Sequence, residues 1–414
     1  MTWDEGHGGF TPTSWTNWVG NQRCEPAKIV EAGDEDAIVA AVRQAADHSL
    51  AVRTPGTGHS FTPNALSDGI LLNTRGHNGI VAIEPEAKRV IAKSHTTIGQ
   101  FGEPLWASGL SLKNQGDIDT QAIAGAIATS THGSGKDFQS FSGALRACRL
   151  VDGRGEVRTL SVESNPELFG AVQTSLGMLG IMTEVTVEVM DAYHLHEQIV
   201  FMPAGEVIER WDDLIQTYRH FSFFWMPTDG SSVLYGFPEA EADMCMVKLY
   251  QETDEEPGAN ELPDGERTDR AYRIYPHVFE PNFHELEYFM PAEESLDVFL
   301  AHRRLMLDSL PDSVFPMEVR FVARDDAWIS PNYQRDSLVI SVSGKPGTDY
   351  WPYLRTCDQH LLERGGRPHW GKLHFSTAER LSESFPRYED FKRVRREFDP
   401  KGIFLNDHLR PLFE

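Results

Sequence analysis

Leu50–Thr54 reads as a short strand, and it runs straight into Pro55-Gly56-Thr57-Gly58-His59-Ser60-Phe61. Closely spaced glycines after a strand let backbone N–H groups converge on an anion without steric cost. The dinucleotide fingerprint would need a third glycine at 61, where Phe61 stands, and the Gly-Lys-Ser/Thr of a P-loop is absent. The loop can therefore cradle phosphate but matches neither common nucleotide signature. His59 at its tip is a nucleophile, ligand or cofactor-attachment candidate. Read locally, a polar turn with an incidental histidine accounts for it as well.

A second tract of small residues, Ala124 to Gly135 (AGAIATSTHGSG), lets another molecule approach the backbone closely. A tightly packed helix followed by a loop is the equal alternative. Further on, Glu318-Val319-Arg320 alternates on a strand, so both charges project from one face. An acid and a guanidinium so placed can orient a hydroxylated substrate, or form a solvated ion pair. His369-Trp370-Gly371-Lys372 adds a cation able to stabilise developing negative charge, unless it is a surface turn. His284-Glu285-Leu286-Glu287-Tyr288 lacks the second histidine of a zinc helix, no GxSxG elbow exists, and no metal site is expected.

The first 190 residues interleave strands with helical segments. Asp34–His48 opens on N-cap-type acids, and Gly69–Asn73, Gly79–Ile83 and Arg89–Lys93 read as strands. A hairpin-like VDGRGEVRTL precedes a helix that runs into a β-branched strand ending near Val189. Beyond 190 come alternating strands, amphipathic helices and more aromatics, and Gln251–Asp269 reads as a long exposed acidic loop. At 414 residues the chain suits two or three domains. Its net charge of −24 argues against nucleic acid and anionic membrane surfaces as partners. Four scattered cysteines suit a reducing compartment, and the acidic N-terminus lacks a signal-peptide pattern. No apolar stretch reaches the ~20 residues of a membrane helix. The expectation is a cytoplasmic protein, a monomer or small homo-oligomer.

In order and spacing these pieces resemble the vanillyl-alcohol-oxidase-like flavoproteins, in their sugar-lactone branch of gulonolactone, arabinonolactone and alditol oxidases. The resemblance rests on FFWMP at 223–227, EVRF at 318–321, SPNYQRDS at 330–337, GGRPHWGK at 365–372 and FDPKGIFLN at 398–406. It implies an α+β, two-domain PCMH-type FAD-binding fold with an antiparallel-sheet cap. Residues 1–190 would bind FAD, 191–375 would form the cap, and 376–414 would pack back on the first domain.

The resemblance further implies that His59 bonds covalently to the flavin and that Gly56, Thr57, Gly58 and Ser60 hold the pyrophosphate. Gly125, Ala126, Ile127 and Ala128 match a second FAD-contacting tract, Ile181 the adenine side, and His369 a flavin-contacting histidine. Glu318, Arg320 and Lys372 match the substrate-site acid, guanidinium and ammonium. The alditol oxidases' flavin-edge Ala-Ser pair corresponds to Gly116-Asp117, their substrate-contacting Thr to Ser343, and a nearby His to Ser341. These departures favour a lactone or another cyclic sugar over an open-chain polyol. Glycine at 116 leans towards reaction with O2. The implied activity is hydride transfer from a carbinol carbon to flavin N5, with Arg320, Lys372 and His369 forming a basic pocket inside an acidic shell.

Overall fold

Asp34 caps the first long helix by accepting a hydrogen bond from the Ala37 N–H, and α1 (Glu35–His48) buries Ile38, Ala41, Val42, Ala45 and Ala46. That apolar stripe packs on a small parallel sheet of β1 (Lys28–Glu31), β2 (Val52–Arg53) and β3 (Ile70–Asn73), in the order β1-β3-β2. The computed structural model describes residues 9–277, 282–309 and 315–414. Residues 1–8 of the acidic N-terminal stretch lie outside these.

A five-stranded antiparallel sheet follows: β4 (Ile80–Glu84), β5 (Arg89–Lys93), β6 (Leu145–Val151), β7 (Val157–Ser161) and β8 (Ile181–Glu188), ordered β7-β6-β8-β5-β4. Between β5 and β6 the chain forms α2 (Ile123–Ala128). The C-terminal helices α5 (Ala378–Ser384) and α6 (Tyr388–Phe398) return to this half of the molecule. Phe385, Tyr388, Phe391, Val394 and Phe398 share one apolar core with Val90, Leu145 and Val185.

The intervening chain builds an eight-stranded sheet from β9 (His194–Pro203), β10 (His220–Trp225), β11 (Met244–Thr253), β12 (Glu266–Arg270), β13 (His284–Pro291), β14 (Met317–Val322), β15 (Ser337–Gly344) and β16 (Arg367–Pro368). The order is β12-β9-β11-β10-β14-β15-β13-β16, and every pairing is antiparallel. Side chains alternate along a strand, so this sheet has two unlike faces. Met317, Val319 and Phe321 join Leu338, Ile340 and Val342, and Leu286, Tyr288 and Met290, in one core. Helices α3 (Ser295–Ser309) and α4 (Trp351–Glu363) cover it with Val298, Phe299, Leu354 and Leu361. The opposite face carries Glu285, Glu287, Glu318, Arg320, Ser341 and Ser343, and five of these six residues are also buried.

The protein is thus an α+β molecule with antiparallel sheets, as expected. Gln251–Asp269 is less of a loop than expected: β11 runs to Thr253 and β12 begins at Glu266, pairing with β9 at the sheet edge. Residues 254–265 between these strands form the exposed acidic loop that was expected. Among the described residues no helix is long and apolar enough to cross a membrane.

Candidate active site

A cleft of about 1320 Å³, counting its open mouth, passes between the glycine loop, α2, the start of β8 and the loop after β16. Gly56, Thr57, Gly58, His59 and Ser60 line it, with Gly125, Ala126, Ala128, Ile181, His369 and Lys372. Gly58 must be glycine: its φ is +77°, and a Cβ would stand 3.0 Å from the Trp15 ring. At Gly125 a Cβ would meet nothing within 4 Å, so this helix face opens into the cleft. Both readings of the small-residue tract hold at once, because α2 packs its other side into the core. Ile127 lies there, fully buried and not among the cleft-lining residues, so its side chain departs from the cofactor-contacting role expected of it.

His59 forms the cleft wall with its Nε2 3.1 Å from Thr120 Oγ1 and its ring against Trp18. Burial lowers its pKa to about 4, with Lys372 adding to the effect, so the imidazole is neutral. Arg53 ties the cleft floor together by donating to the carbonyls of Asn64, Leu176 and Phe404. His369 accepts the Gly371 N–H at Nδ1 (2.9 Å), which fixes its tautomer, and burial lowers its pKa to about 3. The tract His369–Lys372 is no surface turn: Trp370 is 1% exposed and donates to the Ile329 carbonyl.

Beside Lys372 stands the polar face of the sheet. Cross-strand register sets Glu318 opposite Ser341, Ser341 opposite Glu287, and Ser343 opposite Glu285. Arg320 grips Glu318 with two hydrogen bonds, Nε to Oε1 at 2.6 Å and Nη2 to Oε2 at 2.5 Å, and its Nη1 lies 4.0 Å from Glu287. Lys372 donates to Glu285. Lys248 of β11 donates to Asp117 at 2.9 Å. Ser343 Oγ is 2.9 Å from the Tyr235 hydroxyl. Glu287 accepts from Ser341 Oγ at 2.5 Å and lies 3.1 Å from His132 Nε2.

Burial pushes the Glu318 carboxyl up to about 7; Arg320 opposes this, while Asp117 and Glu285 add to it. Burial would raise Glu287 too, but His132, Lys372 and His369 hold it well below the usual carboxylate range. Asp117 falls to about 2, because Lys248 outweighs its burial. Lys372 is raised: burial works against its charge, and Glu285 and Glu287 outweigh that. The expected basic pocket is therefore absent, since each cation has a carboxylate partner. That follows from the cost of burying an unpaired charge.

His132, Glu287 and His369 each bring one donor atom within 4.8 Å of the others, a spacing that could hold a cation. Arg320 and Lys372 beside Glu287, and the His132–Glu287 contact filling the gap, oppose one. Gly116 sits by the same group: a Cβ there would stand 2.9 Å from the His132 carbonyl oxygen. The structure so brings Lys372, Glu318, Arg320, Ser343 and Asp117 to one charged region, and Lys372 joins it to the cleft lined by the small-residue loops. Sequence reasoning assigns Glu285 and Glu287, weighed only as zinc ligands, and His132, inside the small-residue tract, no role at this site, and does not single out Lys248. The HELEY alternation at 284–288, the same pattern as EVR, was the available signal for the first two. A lone lysine in the apolar MCMVKLY was the signal for Lys248.

Comparisons with known proteins give the family and the fold. Residues 26–161 match the FAD binding domain family, and 245–412 match the D-arabinono-1,4-lactone oxidase family. The chain is 32% identical to L-gulono-1,4-lactone dehydrogenase of Mycobacterium tuberculosis over 96% of this chain and 98% of that protein. It is 27% identical to L-gulonolactone oxidase of Scyliorhinus torazame over 99% of this chain and all of that one. Its fold matches cholesterol oxidase from B. sterolicum with a TM-score of 0.83, over 100% of this chain and 99% of that one at 14% identity. The chain belongs to the FAD-dependent sugar-1,4-lactone oxidoreductases of the vanillyl-alcohol-oxidase-like flavoproteins.

Proposed function

We propose that the chain is an FAD-dependent oxidase acting on a CH–OH group of an aldonolactone or related cyclic sugar, with O2 as acceptor and hydrogen peroxide as product. The observation that carries this reading is the meeting of Lys372, on the cleft wall, with the buried Glu318–Arg320 face. When bound, FAD supplies the hydride acceptor at its N5 and the site of O2 reduction. The cleft suits it: the backbone of Gly56 to Ser60 would hold the diphosphate, and Gly125 leaves open space for close approach. Ile181 would meet the adenine side and His369 the flavin. His59, neutral and walled into the cleft, suits covalent attachment; yellow colour staying with acid-precipitated protein is the expected result.

Arg320 and Lys372 stabilise negative charge developing on the substrate oxygen, and Glu318 fixes the reacting hydroxyl. Ser343 and Asp117, held by Tyr235 and Lys248, offer oxygens to further hydroxyls. Among the described residues of this face each cation has a carboxylate partner, which favours a neutral lactone over a sugar acid.

A second reading is a dehydrogenase that passes electrons to a carrier, as the Mycobacterium tuberculosis relative is named. It gains weight because Gly116 has its own steric reason to be glycine, the His132 carbonyl, apart from any role in admitting O2. Mixing the reduced holoenzyme with O2 decides between them. Rapid return of oxidised-flavin absorbance with peroxide release supports the oxidase; a reduced flavin that persists in air supports the dehydrogenase.

A further inference from the structure

Arg53 ends β2, is 6% exposed, and spends its guanidinium on four backbone carbonyls from three distant segments. Nε donates to Asn64 beside the glycine loop (2.8 Å) and Nη2 to Leu176 (2.6 Å), while Nη1 donates to Phe404 (2.8 Å) and Gly177 (3.3 Å). All four of these residues line the cleft. Leu176 holds a φ of +52°, left-handed backbone that a leucine rarely adopts, and its N–H reaches the Ala128 carbonyl at the end of α2. Phe404 belongs to the C-terminal tail. That tail docks beside Arg53 through the Val52 N–H, which donates to the Ile403 carbonyl at 2.8 Å. Asn406 Nδ2 adds bonds to the carbonyls of Pro63 and Leu66, at 2.8 Å each.

Carbonyl dipoles solvate a guanidinium without neutralising it. Among the described residues Arg53 forms no ion pair. Asp399, the acid that acts on it from a distance, accepts the Ile403 and Phe404 N–H groups instead. Lys372, the other cation lining the cleft, is paired with Glu285. No described residue lining the cleft is Asp or Glu, in a chain with 62 of them. Burial lowers the Arg53 pKa to about 10, so the charge stays. A buried cation without a carboxylate is costly, and an anion in the cleft offsets that cost.

We propose that Arg53 couples cofactor binding to docking of the C-terminal tail. The cofactor's diphosphate supplies the countercharge, and the guanidinium holds the glycine loop, the 176–177 loop and the tail as one wall around it. Arg53 is thus a positioning residue. The inference rests on the diphosphate lying at the glycine loop, as proposed above. Such coupling is reciprocal: loosening the tail weakens the cofactor, and binding the cofactor tightens the tail.

The test titrates FAD into the stripped protein, with His59→Ala as background so that no bond to that residue interferes. Arg53→Met should weaken FAD binding about 30-fold or more, whereas Arg53→Lys, which keeps the charge, should retain most of the affinity. Asn406→Ala changes a residue outside the cleft lining, yet should weaken FAD about 10-fold by loosening the tail. It keeps the test decisive if the Arg53 variants fold poorly. Hydrogen exchange at the Val52 amide reports tail docking directly. FAD should slow that exchange about 10-fold where Arg53 is present and leave it unchanged in Arg53→Met. Equal losses in Arg53→Met and Arg53→Lys, unchanged affinity in Asn406→Ala, or Val52 exchange indifferent to FAD overturns the proposal while FAD binding stands. A stripped protein that takes up no FAD overturns the diphosphate assignment and the proposal together.

Discussion

The cleft and the charged face beside it follow opposite rules. The cleft is walled by residues with almost no side chain, such as Gly56, Gly58, Gly125 and Ala128, and recognition there falls to the backbone. The face of β13, β14 and β15 packs acids and cations out of water, each bought with a partner of opposite charge. A wall of small neutral residues costs little to build and accepts a large flat molecule. A buried charged face is expensive if any member is left alone, and is maintained where charge must be stabilised. Substitutions should separate the two: those in the cleft change cofactor content, and those on the face change rate and stability together.

Arg320→Met should have the largest effect. It strips Glu318 of both hydrogen bonds, so flavin reduction by the lactone should fall about 100-fold or more, and unfolding free energy by about 3–5 kcal/mol. Stopped-flow reduction and urea denaturation check the two; a rate loss with unchanged stability would break the contrast between the regions.

Glu318→Gln tests the same face through pH. Folding raises this carboxyl to about 7, so the folded state binds its proton more tightly than the unfolded chain. The stabilisation is complete below the ordinary carboxylate pKa and is lost as pH rises to about 7. The wild-type Tm should therefore drop more between pH 5 and 7.5 than that of the variant. Equal slopes would show that Glu318 is ionised throughout.

Gly125→Leu should have the smallest effect on the fold and a selective one on the cofactor. Nothing stands near the new Cβ, so the stripped protein should keep its unfolding free energy or gain up to about 1 kcal/mol of helix propensity. The FAD content of the purified protein should fall sharply. A variant with full FAD would remove Gly125 from the cofactor wall.

The two regions were also unequally legible in the sequence. The cleft's parts are contiguous in sequence, with Gly56-Thr57-Gly58 directly after its strand and Asp34 marking the start of α1, although a polar turn accounts for the loop as well without the family resemblance. Those of the charged face are not. Glu285 and Glu287, Lys248 and His132 come from three separate segments; sheet register sets the two glutamates beside Glu318, and His132 reaches Glu287 from a loop outside the sheet. Arg320, Lys372 and His369 suggested a basic pocket, but Glu318 on the same strand neutralises Arg320 and Glu285, on another strand, neutralises Lys372. Within Gln251–Asp269 the acidic turn-rich composition marked the exposed loop at 254–265 but not the strand ends on either side of it.

Anaerobic reduction of the bound flavin by L-gulono-1,4-lactone, compared between the wild type and Lys372→Met, tests the central claim most directly. Lys372 belongs to both regions, lining the cleft and pairing with Glu285 of the charged face. The wild-type flavin should bleach, and the variant, with the same oxidised spectrum and FAD content, should bleach about 100-fold more slowly. A wild-type flavin unreduced by any aldonolactone or sugar, or a variant reduced at the wild-type rate, would contradict the account.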